Sequence, residues 1–432
     1  MKKTFITLLV LFTNIIIITT FNSCGNDDSL DEVTSIPQQK VDPYYVNYEQ
    51  ALSEAIEFMH GDILRKGTRA GINRRVENHY EYSVTNRFVR KQTRSAVDND
   101  TIDVRFHVIN FANDGGFALV SADRRTTPIY AYSESGHLDL EDAIANTGVG
   151  DFMEVASENY KNEVINRVGL QPLTPVPTDS IAELLIITDE FGNQYHVSYG
   201  SWQTVSSVSS LVDVEWGQGY PYNYYAKFIT SNPNTVVGCG PVAAGQIMSY
   251  FQHPHYIAIE GDTLSWNTML NENSYNNICP GSMQVSRLLT EIGILSNANF
   301  GETTSTTINN VRNTICSFGY TCSEVSDFDA TNIRSSLLSQ HLVYARGGDL
   351  YSGNGHAWVI DGFIYQTMQT TYYSLNPPYH VVGGSVEERN YYRCNWGWYG
   401  ISNGYFLDVF NVDSNTQFSQ DKSIIYDIYP NI

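Results

Sequence analysis

The chain is short of positive charge. Its 432 residues hold 25 Lys and Arg against 46 Asp and Glu, a formal net charge of −21, and charged residues of both signs make up only 16%. Nucleic-acid binding needs clustered Lys and Arg to neutralise phosphates, so the balance argues against a nucleic-acid partner. No CxxC pair and no Cys/His spacing of a zinc site occurs, and no motif calls for a metal or an organic cofactor. Long low-complexity tracts are missing too. The apolar run from Phe5 to Phe21 is too short and too broken by Thr for a membrane span. What is present is 42% hydrophobic residues, enough for real cores, in a length that suggests two or three domains. Thirty Tyr beside so little charge fits a secreted chain.

Met1-Lys2-Lys3 followed by that apolar run has the charge and length of a secretory signal. It ends in Phe21-Asn22-Ser23-Cys24-Gly25, which resembles a bacterial lipobox with Cys24 as the lipidated first residue of the mature chain, although Asn22 is off the usual Leu-rich pattern. Residues 1–23 are therefore expected to be a lipoprotein signal peptide and 24–44 a flexible tether. Plain secretion with another cleavage site is the competing reading. Either way the chain is expected in the bacterial cell envelope or outside the cell, touching membrane only through a lipid at Cys24.

In the first half, Tyr48 to Lys66 carries Leu52, Ala55, Ile56, Met59, Ile63 and Leu64 at helical spacing. From Arg65 to Arg94 there are nine Lys or Arg against Glu77 and Glu81, a solvated face or a surface for an acidic partner. Asp103–Phe111 and Phe117–Ser121 flank the turn residues Asn113-Asp114-Gly115-Gly116 and predict a hairpin, with Tyr130–Tyr132 as a third strand. Asp151 to Arg167 predicts a helix, and Leu170 to Ser180, with three prolines, a linker.

The chemistry lies in the second half. In Val236–Tyr250 a lone Cys239 stands between two glycines and is followed by small and apolar residues, a loop opening into a buried helix. Unpaired N–H groups and the helix dipole favour a thiolate there, and Pro241 suits the first turn. The competing reading is a free Cys used as a small hydrophobe. His356, in Gly355-His356-Ala357-Trp358-Val359, opens a β-prone run after a Gly-rich turn; beside Cys239 it would take the thiol proton and later protonate a leaving amine. Gln218, in Trp216–Asn223, would point an amide N–H at a developing oxyanion. Asn395 would accept the imidazole N–H and fix its direction, with the indole of Trp396 shielding that bond. Singly, each has a structural reading as a turn or core residue. Together the order Gln, Cys, His, Asn, with Cys early and His and Asn more than a hundred residues later, is the papain-like arrangement. Leaving Cys239 and Cys24 aside, Cys279, Cys316, Cys322 and Cys394 allow two disulfides in three pairings, or remain thiols.

Trp216–Asn223, Gly238-Cys239 through Tyr250 and Pro254, Gly355–Gly362, Asn395–Phe406 and Ser423–Pro430 together resemble the streptopain family of secreted bacterial cysteine peptidases. Gly116–Arg124 and Tyr132–Gly136 resemble the propeptide of the same family. The resemblance implies an α+β chain: a papain-like peptidase over 199–432, with a helical subdomain holding Cys239 and an antiparallel β subdomain holding His356 and Asn395, preceded by an α+β inhibitory propeptide over 45–198. It implies Cys239 as nucleophile, His356 as general base and acid, Gln218 with the Cys239 N–H as oxyanion hole, Asn395 as orienter of His356, and Trp396 over the site. Partners would be protein or peptide substrates and the chain's own propeptide, whose basic 65–94 stretch would face a half with 18 Asp/Glu and 8 Lys/Arg, net −10. Gly240-Pro241-Val242 and Asp413–Gln420 depart from the family pattern. Gly200–Ser210 is a candidate place for the maturation cut. Two other readings compete: an inactive surface binding or inhibitor protein on the same fold, and another acyl transfer such as transglutamination.

Overall fold

The computed structural model describes residues 42, 44–65, 74–84, 102–144, 147–166, 185–188, 191–348, 355–409 and 422–431. Cys24 with its leader, most of the tether, most of the basic 65–94 stretch, the Leu170–Ser180 linker and Asp413–Gln420 lie outside the described residues.

The first half sets helix α1 (Tyr48–Arg65) beside a meander of β1 (Val76–Ser83), β2 (Arg105–Phe111), β3 (Phe117–Ser121) and β4 (Ile129–Ser133), followed by α2 (Leu140–Ile144) and α3 (Thr147–Asn166). The expected β2–β3 hairpin is there, with Asn113 and Asp114 left-handed at φ 60° and 58°. Gly116 is required because a Cβ on it would lie 1.9 Å from the Ser133 carbonyl oxygen. Strands β3 and β4 are buried on both faces, so they read as unbroken apolar runs. Rings close the packing: Phe58 of α1 meets Tyr132 at 5.1 Å, and Tyr160 of α3 meets Phe106 at 5.5 Å. Helix α3 begins four residues before the expected Asp151, taking in Gly148 and Gly150.

The chain then runs through β5 (Leu185–Thr188), β6 (Gln194–Tyr199) and β7 (Gln203–Val208) into α4 (Ala226–Thr230) and α5 (Cys239–Phe251). The hairpin β8 (Ile257–Ile259) and β9 (Asp262–Leu264), then α6 (Trp266–Asn271), α7 (Pro280–Leu295) and α8 (Ile308–Ser317), complete the helical part around α5. Apolar residues on all sides of α5 explain its burial from Gly240 to Ser249. After β10 (Tyr320–Thr321), β11 (Ser326–Asp327) and α9 (Ala330–Leu338) come β12 (Leu342–Gly348), the long hairpin β13 (Gly355–Tyr373) and β14 (Val381–Asn395), β15 (Gly404–Leu407) and β16 (Ser423–Pro430).

One sheet joins the two halves, in the order β1-β2-β3-β4-β15-β14-β13-β12-β16-β10. The join is β4 to β15, with Tyr132 opposite Tyr405 and their rings stacked at 5.1 Å. The suggested cut site Gly200–Ser210 is largely taken up by β7, paired along β13 from Val208↔Phe363 to Gln203↔Thr367. A cut inside it requires that strand to leave the sheet.

Candidate active site

Cys239 is the first residue of α5. Its approach is fixed by Gly238 at φ 97°, where a Cβ would come within 2.8 Å of Thr304 Cγ2. Thr304 Oγ1 also donates to the Val236 carbonyl, and the Val236 N–H donates to Gly301. Burial pushes the Cys239 thiol up from its ordinary value. The backbone N–H groups of Ala357, Gly240 and Cys239, with the positive charge of Arg346, pull it the other way. Cys279, Cys316, Cys322 and Cys394 are also free thiols.

The Ala357 N–H that favours the Cys239 thiolate belongs to β13, and the preceding residue is His356. His356 is buried in an indole cage: Trp358 is stacked at 6.3 Å and 10°, Trp398 at 6.2 Å and 21°, and Trp396 lies at 6.2 Å. Its Nε2 lies 2.8 Å from the Trp396 carbonyl oxygen, which can only accept, so Nε2 carries the proton. Burial lowers the ring's pKa to about 4 against the opposing effect of that bond, and the imidazole is neutral at pH 7.

A residue from the first half closes this side of the site. A Cβ on Gly148, in the first turn of α3, would lie 2.5 Å from Trp396 Cε3, 2.6 Å from His356 Cδ2 and 2.8 Å from Trp396 Cζ3. The backbone of α3 thus rests directly on both rings.

Asn395, the last residue of β14, is buried and fully occupied. Its Oδ1 accepts from Gln246 Nε2 at 3.0 Å and from the Gly397 N–H at 3.3 Å, and its Nδ2 donates to the Val214 carbonyl at 3.0 Å. The expected Asn395–His356 bond is therefore not made in this state: the imidazole N–H goes to the carbonyl one residue further on, where α3 flanks the ring. Trp396 is anchored by its indole N–H to Ser402 O at 3.1 Å and by Phe406 at 5.1 Å, and it does pack on His356.

Gln218 is buried, and its carbonyl accepts the Val237 N–H at 2.9 Å, which brings its loop alongside the segment entering Cys239. Tyr399 holds that loop from above, donating to the Tyr220 carbonyl at 3.0 Å with its ring on Gly217. Asp361, buried on β13, holds the segment leading into the loop: it accepts from Val212 N–H at 2.9 Å, Ser210 Oγ at 3.0 Å and Arg393 Nη1 at 2.9 Å. The Gln218 loop thus meets the segment entering Cys239, Trp396 packs on His356, and Asn395 is tied to α5 through Gln246. Sequence reasoning missed Gly148, Trp358, Trp398 and the structural use of Gln246, which lies two helical turns after Cys239 and so on its face.

A thiol at a helix N-terminus, an imidazole on the adjoining strand and an amide-bearing loop between them define a cysteine peptidase of papain-like fold. Residues 216–406 match the Peptidase C10 family and residues 39–160 match the Spi protease inhibitor family. Streptopain of Streptococcus pyogenes is 26% identical over 345 residues, covering 69% of this chain and 72% of that protein. The thiol protease/hemagglutinin PrtT of Porphyromonas gingivalis is 24% identical over 374 residues, covering 75% of this chain and 37% of that one. A fragment of Prevotella intermedia prointerpain A superposes with a TM-score of 0.49 at 18% identity, over 82% of this chain and all of that fragment. The chain is similar to the Peptidase C10, or streptopain, family over residues 216–406, and is a papain-like cysteine peptidase made as a zymogen with an inhibitory N-terminal domain.

Proposed function

We propose that Cys239 is the nucleophile of an endopeptidase whose first half, residues 45–198, holds residues 199–432 latent. The observation that carries this reading is the seat of His356: it precedes Ala357, whose N–H favours the Cys239 thiolate, and it lies under the Gly148 turn of α3. With α3 removed, the His356 ring is free to turn its Nε2–H from the Trp396 carbonyl to Asn395 Oδ1, and its other nitrogen towards Cys239. His356 then takes the thiol proton, and the thiolate attacks the peptide carbonyl. Gln218 and the Cys239 N–H hold the oxyanion, and the imidazolium protonates the departing amine. Water, activated by the same imidazole, hydrolyses the acyl-enzyme. Trp396 excludes solvent from the His356 bond.

Export as an envelope-anchored lipoprotein through Cys24, or as a secreted protein, is part of the same reading and is supported by the leader sequence and by a thiol chemistry acting on outside proteins. The test incubates protein lacking residues 1–24 beside Cys239→Ala under mild reductant, with gel mass and labelling by an epoxide inhibitor of cysteine peptidases followed over time. Labelling of only the unmutated protein, with conversion to a fragment near the size of 199–432 either spontaneously or after added protease, is the expected result. A chain that takes no label before or after processing would be the inactive binding protein instead.

A further inference from the structure

The long hairpin β13–β14 carries His356 and Asn395, so it belongs to the peptidase half. Two strands that precede α4 lie along it end to end. β6 pairs His196 with Tyr373 through Tyr199 with Thr370, and β7 pairs Gln203 with Thr367 through Val208 with Phe363. Between them the Gly200 N–H donates to the Gln369 carbonyl at 2.8 Å. Residues 196–208 thus cover one edge of β13 from Phe363 to Tyr373, whose other edge is taken by β14. Side chains reinforce the ladder. Gln366 Nε2 donates to Thr204 Oγ1 at 3.0 Å, and Arg389 Nε donates to Gln366 Oε1 at 2.7 Å. The Arg389 guanidinium lies 4.0 Å over the Trp202 ring, and His196 and Val197 are buried. Removing this stretch would bare the edge of β13 and leave its backbone groups without those partners.

β5 is placed otherwise. Its residues Leu185–Thr188 pair with β6 alone among the described strands, and Ile186 is exposed. A short edge strand of this kind is the first to open. Gln194 and Tyr195 pair only with β5, opposite Thr188 and Ile187, so the hold of β13 on the chain begins at His196. Just before them the turn residues Phe191, Gly192 and Asn193 are exposed, Phe191 to 81%. Exposed loop tips are where proteases nick folded chains. Once β5 lifts away, the turn is free to extend into a protease cleft while β6 and β7 stay in the sheet.

We propose that the maturation cut falls in the β5–β6 turn, at a bond between Phe191 and Tyr195, and that β6 and β7 remain part of the mature peptidase. Water adds across that bond, its oxygen going to the new carboxylate of the first half and a proton to the new amine of the peptidase. The site lies upstream of Gly200–Ser210. It rests on the zymogen reading above, and the test separates the two. The full chain lacking residues 1–24 is left to convert under mild reductant, or is carried to its limit product with subtilisin, while epoxide labelling is followed. The first residue of the labelled product is read by Edman degradation and by intact mass. A first residue from Gly192 to Tyr195 is expected. In the double variant Phe191→Pro/Asn193→Pro conversion is expected to slow about tenfold, because proline fixes φ and removes the N–H a protease would bind. A labelled product that begins within 200–210, or at or before Phe191, overturns the proposal and leaves the zymogen reading standing. Unslowed conversion of a folded double variant does the same; if that variant does not melt cooperatively, the wild-type first residue decides alone. Neither label nor conversion in the wild type removes the zymogen reading and this proposal with it.

Discussion

The proposed latency can be probed through one missing methyl group. Substituting Gly148 by Ala places a Cβ 2.5–2.8 Å from three ring atoms of Trp396 and His356, nearly 1 Å inside normal carbon contact distance. Trp396 cannot yield cheaply, since its indole N–H is bonded to Ser402, its backbone N–H to Asn403, and Phe406 lies behind it. Relief therefore comes from lifting the start of α3. Overpacking of this kind costs about 1–3 kcal/mol, and the better helix propensity of Ala returns up to ~1 kcal/mol. A net loss of ~1–2 kcal/mol raises the open population about 5- to 30-fold. The assay is the initial rate of epoxide labelling of Cys239 in the unprocessed protein, which follows the open population when opening is fast relative to labelling. Gly148→Ala is expected to label about 5–30 times faster with a matured activity equal to wild type. Equal labelling rates for the two zymogens would refute the idea that α3 bars the site.

Two further outcomes follow from buried charges. The unfolded chain protonates His356 near pH 6.5 and the folded chain only near pH 4, so its contribution is full above pH 6.5 and falls by ~1.4 kcal/mol per pH unit below that, a total of about 3 kcal/mol. Glu54, pushed up to about 7 by burial, works in the opposite sense, losing stability as pH rises from 4.5 to 7; melting of Cys239→Ala with and without His356→Gln between pH 4 and 7 isolates the histidine, and parallel curves would contradict the assignment. Asp361→Ala leaves the Arg393 guanidinium beside a void and frees the Ser210–Val212 segment, which should destabilise the protein by ~3–5 kcal/mol in urea unfolding; a loss under ~1 kcal/mol would show that Asp361 does not anchor the loop leading to Gln218.

What could be read from the chain were features whose causes are local or whose chemistry is rare. The β2–β3 turn was visible because Asn113, Asp114 and Gly116 are residue types that tolerate positive φ. The Cys239 and His356 segments were visible because each needs glycine to bring backbone close to a reactive atom. The start of α3 was misplaced for the converse reason: Gly148 and Gly150 lower helix propensity, yet at Gly148 the absence of a side chain is what lets the helix reach His356 and Trp396. The role of Asn395 was read for an unobstructed site, whereas here Gln246, Gly397 and Val214 occupy its amide. The pairing of β4 with β15 left no local signal, since it joins segments some 270 positions apart through backbone groups that every residue possesses.

That pairing also separates two events usually treated as one. Severing the chain between the halves breaks a peptide bond but leaves the Tyr132–Tyr405 stack and the shared ladder in place. A nicked molecule is then a complex of two fragments, and its occupancy obeys mass action. Activity should appear on dilution of the cut protein, or on destruction of the released fragment, and should be suppressed again when the fragment is returned at high concentration.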